Sequence, residues 1–131
     1  HEALQGRMAL RLTGHVSTEN NGGFLQMARD LGDEVGMDAS GYRGLLLDVL
    51  GNGEAYNIHL RTADVTRPWQ SYRASFTAPD TWTTLKLPFA DFTAHRITSP
   101  LDLKSLRRLG IVAIGKSFYA DIALSELRLY P

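Results

Sequence analysis

Apolar and polar residues alternate along this chain in short runs, and glycine or proline breaks the runs roughly every ten residues. Arg7 to Val16 opens with Met8, Leu10 and Leu12 set against Arg7, Ala9 and Arg11. Such period-two alternation predicts a strand with one buried face. Phe24 to Arg29 is a second strand, with its faces less well separated. Leu45–Leu50 and Ala55–Thr62 flank Gly51-Asn52-Gly53-Glu54. Asn-Gly suits the centre of a type I′ turn, where both residues need positive φ, so these two runs predict a hairpin. Its register sets Val49 opposite Tyr56, Leu47 opposite Ile58 and Leu45 opposite Leu60. The same register places Asp48 opposite Asn57 and Leu46 opposite His59. A slip by one residue would mix the two faces.

Downstream, Ala63 to Ser71 reads as a polar loop carrying Arg67-Pro68-Trp69. Tyr72, Ala74 and Phe76 then alternate with Arg73 and Ser75. Thr83, Leu85 and Leu87 form another buried face, and Pro88 ends that strand because it has no N–H for the ladder. Phe89 and Phe92 bracket a turn and tuck beneath it. Thr93 to Pro100 reads as loop, Leu101 to Leu106 as one helical turn, and Leu109 to Ile114 as a buried central strand. The alternation of Phe118 to Tyr130 breaks near Ser125, which predicts a bulge. Many short strands with turns between them predict an all-β sandwich or barrel in a single domain spanning residues 1–131, and the apolar pairs favour two packed antiparallel sheets.

Composition narrows the function classes. There are 14 basic and 14 acidic residues, so the net charge is zero, which argues against a general nucleic-acid binder. There is no cysteine, which removes disulfides and thiolate catalysis. No apolar run approaches the roughly 20 residues that span a bilayer, and no signal peptide is visible. A cytoplasmic location is the expectation. A mitochondrial matrix location would follow for a eukaryotic source, and a periplasmic one if a signal peptide was removed.

No catalytic constellation emerges. His15, His59 and His95 lack metal-ligand spacing, and no cofactor or metal is expected. His59 near Asp48 looks like a dyad, but no nucleophile stands beside it, so a solvated cross-strand contact is the simpler reading. Gly32, Gly36, Gly41 and Gly44 form no phosphate loop, and Arg107-Arg108 reads as a solvated pair. Asn20-Asn21-Gly22-Gly23 could offer amides to a ligand, yet these residues also suit a tight connection. Trp82 at a strand start reads as a lid on the core, with stacking on a sugar ring as the sharper alternative. Trp69 stands in a polar loop beside Pro68 and two arginines, Arg67 and Arg73, and both an exposed position and one folded over the core are open to it. Alternation turns Asn57, His59 and Arg61 away from the core, and the loop that follows offers Trp69 and Arg67 near the end of that strand. Asn57, His59, Arg61, Arg67 and Trp69 are therefore the expected partner-binding residues, since arginine and tryptophan mark contact hot spots.

Particular stretches, in their order, resemble the complex I intermediate-associated protein 30 family. They are Val16 to Phe24 with its Asn-Asn-Gly-Gly-Phe, Asp38 to Gly44, and Gly51-Asn52-Gly53 with Tyr56 and Leu60-Arg61. Tyr72 to Phe76, Trp82 to Phe92 with its Leu-Pro-Phe-x-x-Phe, Leu109-Gly110-Ile111 and the run to Tyr130 complete the match. The resemblance implies a galactose-binding-domain-like jelly roll. It also implies a non-enzymatic protein-binding role, as an assembly or scaffold factor or chaperone. An upstream aspartate and a Met-Gly-Gly-x-Ser run, usual in the family, are not found, so the chain reads as a trimmed or minimal member. The alternative function is a carbohydrate-binding module, which the fold type also hosts.

Overall fold

The computed structural model of the chain describes residues 2–19, 23–33 and 35–131. Ten strands form among them: β1 (Glu2–Leu4), β2 (Arg7–Val16), β3 (Phe24–Asp30), β4 (Gly44–Leu50), β5 (Ala55–Thr62), β6 (Ser71–Thr77), β7 (Thr83–Pro88), β8 (Thr93–His95), β9 (Leu106–Ile114) and β10 (Phe118–Tyr130). Single 3-10 turns lie at Phe89–Asp91 and Leu103–Ser105, the latter within the helical turn expected there. The first sheet has the order β1-β2-β10-β4-β7 and the second β3-β9-β5-β6-β8, with every pairing antiparallel. The two sheets pack face to face as a jelly-roll sandwich. Among the described residues, no helix is long and apolar enough to cross a membrane.

The core lies between the sheets. Leu45, Leu47 and Val49 fill it from β4, and Tyr56, Ile58 and Leu60 from β5, each at most 1% exposed. Burying a side chain of this size contributes about 1.5–3 kcal/mol. Tyr72, Ala74 and Phe76 of β6 are also buried, and Leu109, Ile111 and Ala113 join the core from β9. Phe89 is buried, and Phe92 packs partly against it at 6.3 Å between ring centroids. The ladder between β10 and β4 slips between Leu124 and Glu126, which is the bulge expected at Ser125.

The expected hairpin does not form. β4 pairs with β10 and β7, while β5 pairs with β9 and β6 in the opposite sheet. Alternation specifies which face of a strand is buried but not which strand lies beside it. Two strands opposed across a sandwich carry the same pattern as two strands side by side. The connection Gly51-Asn52-Gly53-Glu54 is an arch between sheets. Its Gly51 N–H donates to Pro79 O (2.6 Å) and its Gly53 N–H to Ala78 O (2.8 Å). A Cβ on Gly51 would collide with Ala78, so this close approach needs glycine. Of Asn52 and Gly53, only Gly53 has positive φ (81°). The type I′ requirement is met instead at Gln5 (42°) and Gly6 (83°), which join β1 to β2.

Three local expectations change. Thr93–His95, read as loop, is a short edge strand. Trp82 does not lid the core. Its Nε1 donates to Leu4 O (3.0 Å) and the Arg7 guanidinium lies 5.2 Å over its ring, so it clasps the β1–β2 tip. Pairing of β2 with β10 stops at Leu10, and the departing β2 leaves Met8 (61%) and Leu10 (43%) exposed.

Candidate functional site: a cleft on the outer face of the second sheet

Side chains that point away from the core in β3, β9, β5 and β6 share one surface, and their register fixes the rows. Asp30 lies beside Arg108, which lies beside Arg61. The next row runs Ala28, Gly110, His59, Arg73. The third runs Gln26, Val112, Asn57, Ser75, and Phe24 sits beside Ile114 beyond it. Gly110 and Ala28 are small, so the surface dips between taller neighbours. The loop after β5 folds back over the other end, because Arg61 Nη1 donates to Pro68 O (3.2 Å) and Gln70 O (3.3 Å). The Gln70 carboxamide holds the same loop, accepting from Thr66 and Arg67 N–H and donating to Arg96 O (3.1 Å).

The result is a cleft of about 580 Å³. Trp69 (55% exposed) and Phe24 (57%) stand at diagonally opposite corners. Gln26, Gln70 and Ser71 add polar groups, and Arg61, Arg73 and Arg108 supply the charge. No carboxylate lines it among the described residues. Each guanidinium is braced on one side: Arg61 by the two loop carbonyls, Arg73 by Ser71 Oγ (2.8 Å), Arg108 by Asp30 (2.7 Å).

Electrostatics follow from this crowding. Burial, then Arg108 and Arg107, pull Arg61 below the ordinary guanidinium value, and burial, then Arg96, do the same to Arg73. Both still titrate far above neutrality, as arginine does. His59 is pushed down to about 4, first by burial and then by Arg73 and His95, so it is a neutral imidazole at pH 7. Its Nε2 is covered and has no hydrogen-bond partner among the described residues.

Of the residues expected from sequence, His59, Arg61 and Trp69 line the cleft. Asn57 lies one row off, accepting from Ser75 Oγ (2.9 Å), and Arg67 sits in the folded-back loop outside the lining. The His59–Asp48 contact does not exist, because the two strands belong to different sheets. Asp48 instead accepts from Thr84 Oγ1 (2.6 Å) near Arg7 and Arg128. Phe24, Gln26, Arg73, Arg108 and Gly110 were missed, four of them because β3 and β9 reach β5 only through long-range pairing. Asn20 to Gly22, weighed above as ligand amides, lie outside the described residues.

Residues 3–125 match the family model described as Complex I intermediate-associated protein 30. Among solved structures, a Family 11 carbohydrate-binding module from Clostridium thermocellum, in complex with a β-1,3-1,4-mixed-linked tetrasaccharide, superposes with a TM-score of 0.67 at 16% identity. That match covers 95% of this chain and 85% of the other. The Family 30 carbohydrate-binding module of the Clostridium thermocellum cellulosomal cellulase Cel9D-Cel44B gives 0.72 at 20% identity, covering 98% and 77%. At such identities the likeness is one of fold, the galactose-binding-like jelly roll. No curated protein matches the sequence.

Proposed function

The chain belongs to the complex I intermediate-associated protein 30 family, and from that premise we propose that it is a non-catalytic binding domain holding a carbohydrate chain in the cleft between Phe24 and Trp69. The observation that carries this is the exposed Trp69 ring at the wall of a polar cleft. An aromatic platform takes the apolar face of a sugar ring, while amides and guanidinium groups meet its hydroxyls. The tetrasaccharide held by one module of the same fold supports the reading. Among the described residues, nothing in the cleft is arranged for turnover. Ser71 Oγ accepts from Arg73, and His59 Nε2 is covered rather than aimed at a hydroxyl.

A second reading, docking of a protein partner by an assembly factor or chaperone, is favoured by the family's description and by Trp69 lining the same cleft as Arg61.

Electrophoresis through gels containing a panel of polysaccharides tests the first reading. At least one polymer is expected to retard the protein. Trp69→Ala is expected to weaken that affinity by about 2 kcal/mol, roughly thirtyfold, with the melting temperature unchanged. Gly110→Ala is a second probe. Its Cβ would meet Ala28 and Gln26 at 3.4 Å, so the strand accepts it while the cleft floor rises. It is expected to weaken binding about tenfold. If no polymer retards the protein, and a pull-down from the native organism recovers a partner that Trp69→Ala and Arg61→Ala both lose, the second reading replaces the first.

A further inference from the structure

The two outer faces of the sandwich treat arginine differently. On the first sheet, Arg11 bonds Asp121 and Glu2, and Arg128 faces Glu126 and Asp48. Those two arginines are matched by carboxylates. On the second sheet the cleft gathers Arg61, Arg73 and Arg108 with no carboxylate in its lining among the described residues. Asp30 meets Arg108 from outside, and Arg107 and Arg96 lie close enough to act on Arg61 and Arg73. A chain of zero net charge has thus placed a concentrated positive patch around its exposed tryptophan.

We infer that the cleft selects an acidic glycan, a polysaccharide carrying carboxylate or sulfate groups. This rests on the carbohydrate reading above and names the substrate class of that same site. A neutral chain seated here would strip water from the guanidinium groups and return only hydroxyl contacts. Arg108 keeps Asp30, but Arg61 and Arg73 have no carboxylate partner among the described residues, and charge buried without a counter-charge is costly. An anionic chain supplies the missing counter-charge. The bracing matters as well. Arg61 spends Nη1 on the loop carbonyls, Arg73 spends Nε on Ser71, and Arg108 spends Nη1 on Asp30. Each is fixed in place with further N–H groups left over, and a held guanidinium fork matches a carboxylate or sulfate in two-point geometry. His59 stays neutral at pH 7, so the arginines carry the charge.

The test is a set of titrations against polygalacturonate, dextran sulfate, neutral mixed-linked β-glucan and poly-glutamate. At least one of the two acidic glycans is expected to bind about tenfold or more tightly than the neutral glucan, and whichever binds tighter names the acid group. That affinity is expected to fall about tenfold between roughly 50 and 500 mM salt, because screening shortens the reach of the charges. Arg73→Gln and Arg108→Gln are each expected to weaken acidic-glycan binding about tenfold with unchanged melting temperature, while Lys86→Gln on the opposite sheet leaves it intact. Neutral glucan bound as tightly, without salt dependence, would overturn the inference and keep the carbohydrate reading. Poly-glutamate bound as tightly as the acidic glycans would overturn the glycan assignment. Binding of no glycan would overturn both.

Discussion

Tyr56→Ala is expected to cost about 3–5 kcal/mol of stability, enough to leave much of a domain this size unfolded at body temperature. Tyr56 is fully buried, packs on Phe76 and Phe118, and carries a hydroxyl with two tasks. The Oη atom accepts from Asp121 N–H (2.9 Å) and donates to Asn52 Oδ1 (2.7 Å), while Asn52 Nδ2 donates to Tyr119 O (2.9 Å). One side chain therefore ties β5 in the second sheet, the arch, and β10 in the first. Tyr56→Phe separates the hydroxyl from the ring. It is expected to cost about 1–3 kcal/mol, since it leaves a backbone N–H without its acceptor in a partly buried place. Urea denaturation of the three proteins checks both figures. A Tyr56→Phe variant as stable as the parent would mean that the network does not hold the sheets together.

The same residues show where the sequence was legible and where it was not. Periodicity located most of the strands and their buried faces because each face is decided locally, by which side chains avoid water. It failed at Met8 and Leu10, where β2 leaves β10 and Ala9 is the buried residue, and at the short edge strand Thr93–His95. Tyr56, Ile58 and Leu60 point inward as expected. Partner choice is not local. Asn52-Gly53 looked like a turn between neighbours, yet Asn52 spends its side chain on Tyr56 and Tyr119 and leaves the positive φ to Gly53 alone. The true two-residue turn, Gln5-Gly6, carries no Asn or Asp to signal it.

The site divides in the same way. His59 and Arg61 were found because alternation along one strand turns them outward, and Trp69 because a tryptophan in a polar loop stands out. Arg73 could have been found by the same rule, as it alternates with Tyr72 and Ala74. Arg108, Gly110, Phe24 and Gln26 could not. The faces of β3 are poorly separated, and β9 is apolar on both sides through Ile111, Val112 and Ala113. Only the order β3-β9-β5-β6 brings them to the cleft.

The contribution of His59 to stability is expected to fall as pH drops from about 6.5 to about 4. In the unfolded chain this imidazole takes a proton near 6.5; in the folded protein burial, Arg73 and His95 hold it down to about 4. Between those values the unfolded state binds a proton that the folded state refuses, so acid favours unfolding. Above 6.5 the imidazole is neutral in both states and its stability is fully present. Below 4 it is charged in both and nothing more is lost. Each tenfold drop in proton affinity on folding corresponds to about 1.4 kcal/mol, and the half-open position of His59 reduces the total to about 1–2 kcal/mol. His95 contributes in the same direction, its value lowered by burial and then by Arg73 and Arg96. Carboxylates titrate across this range too, so the informative quantity is a difference. His59→Asn removes the titrating group, and the stability of the parent relative to this variant is expected to decline from pH 6.5 to pH 4 and level off below. Parallel pH profiles for the two proteins, measured by urea denaturation at each pH, would show that His59 is solvated in the folded state and would remove the neutral imidazole from the cleft.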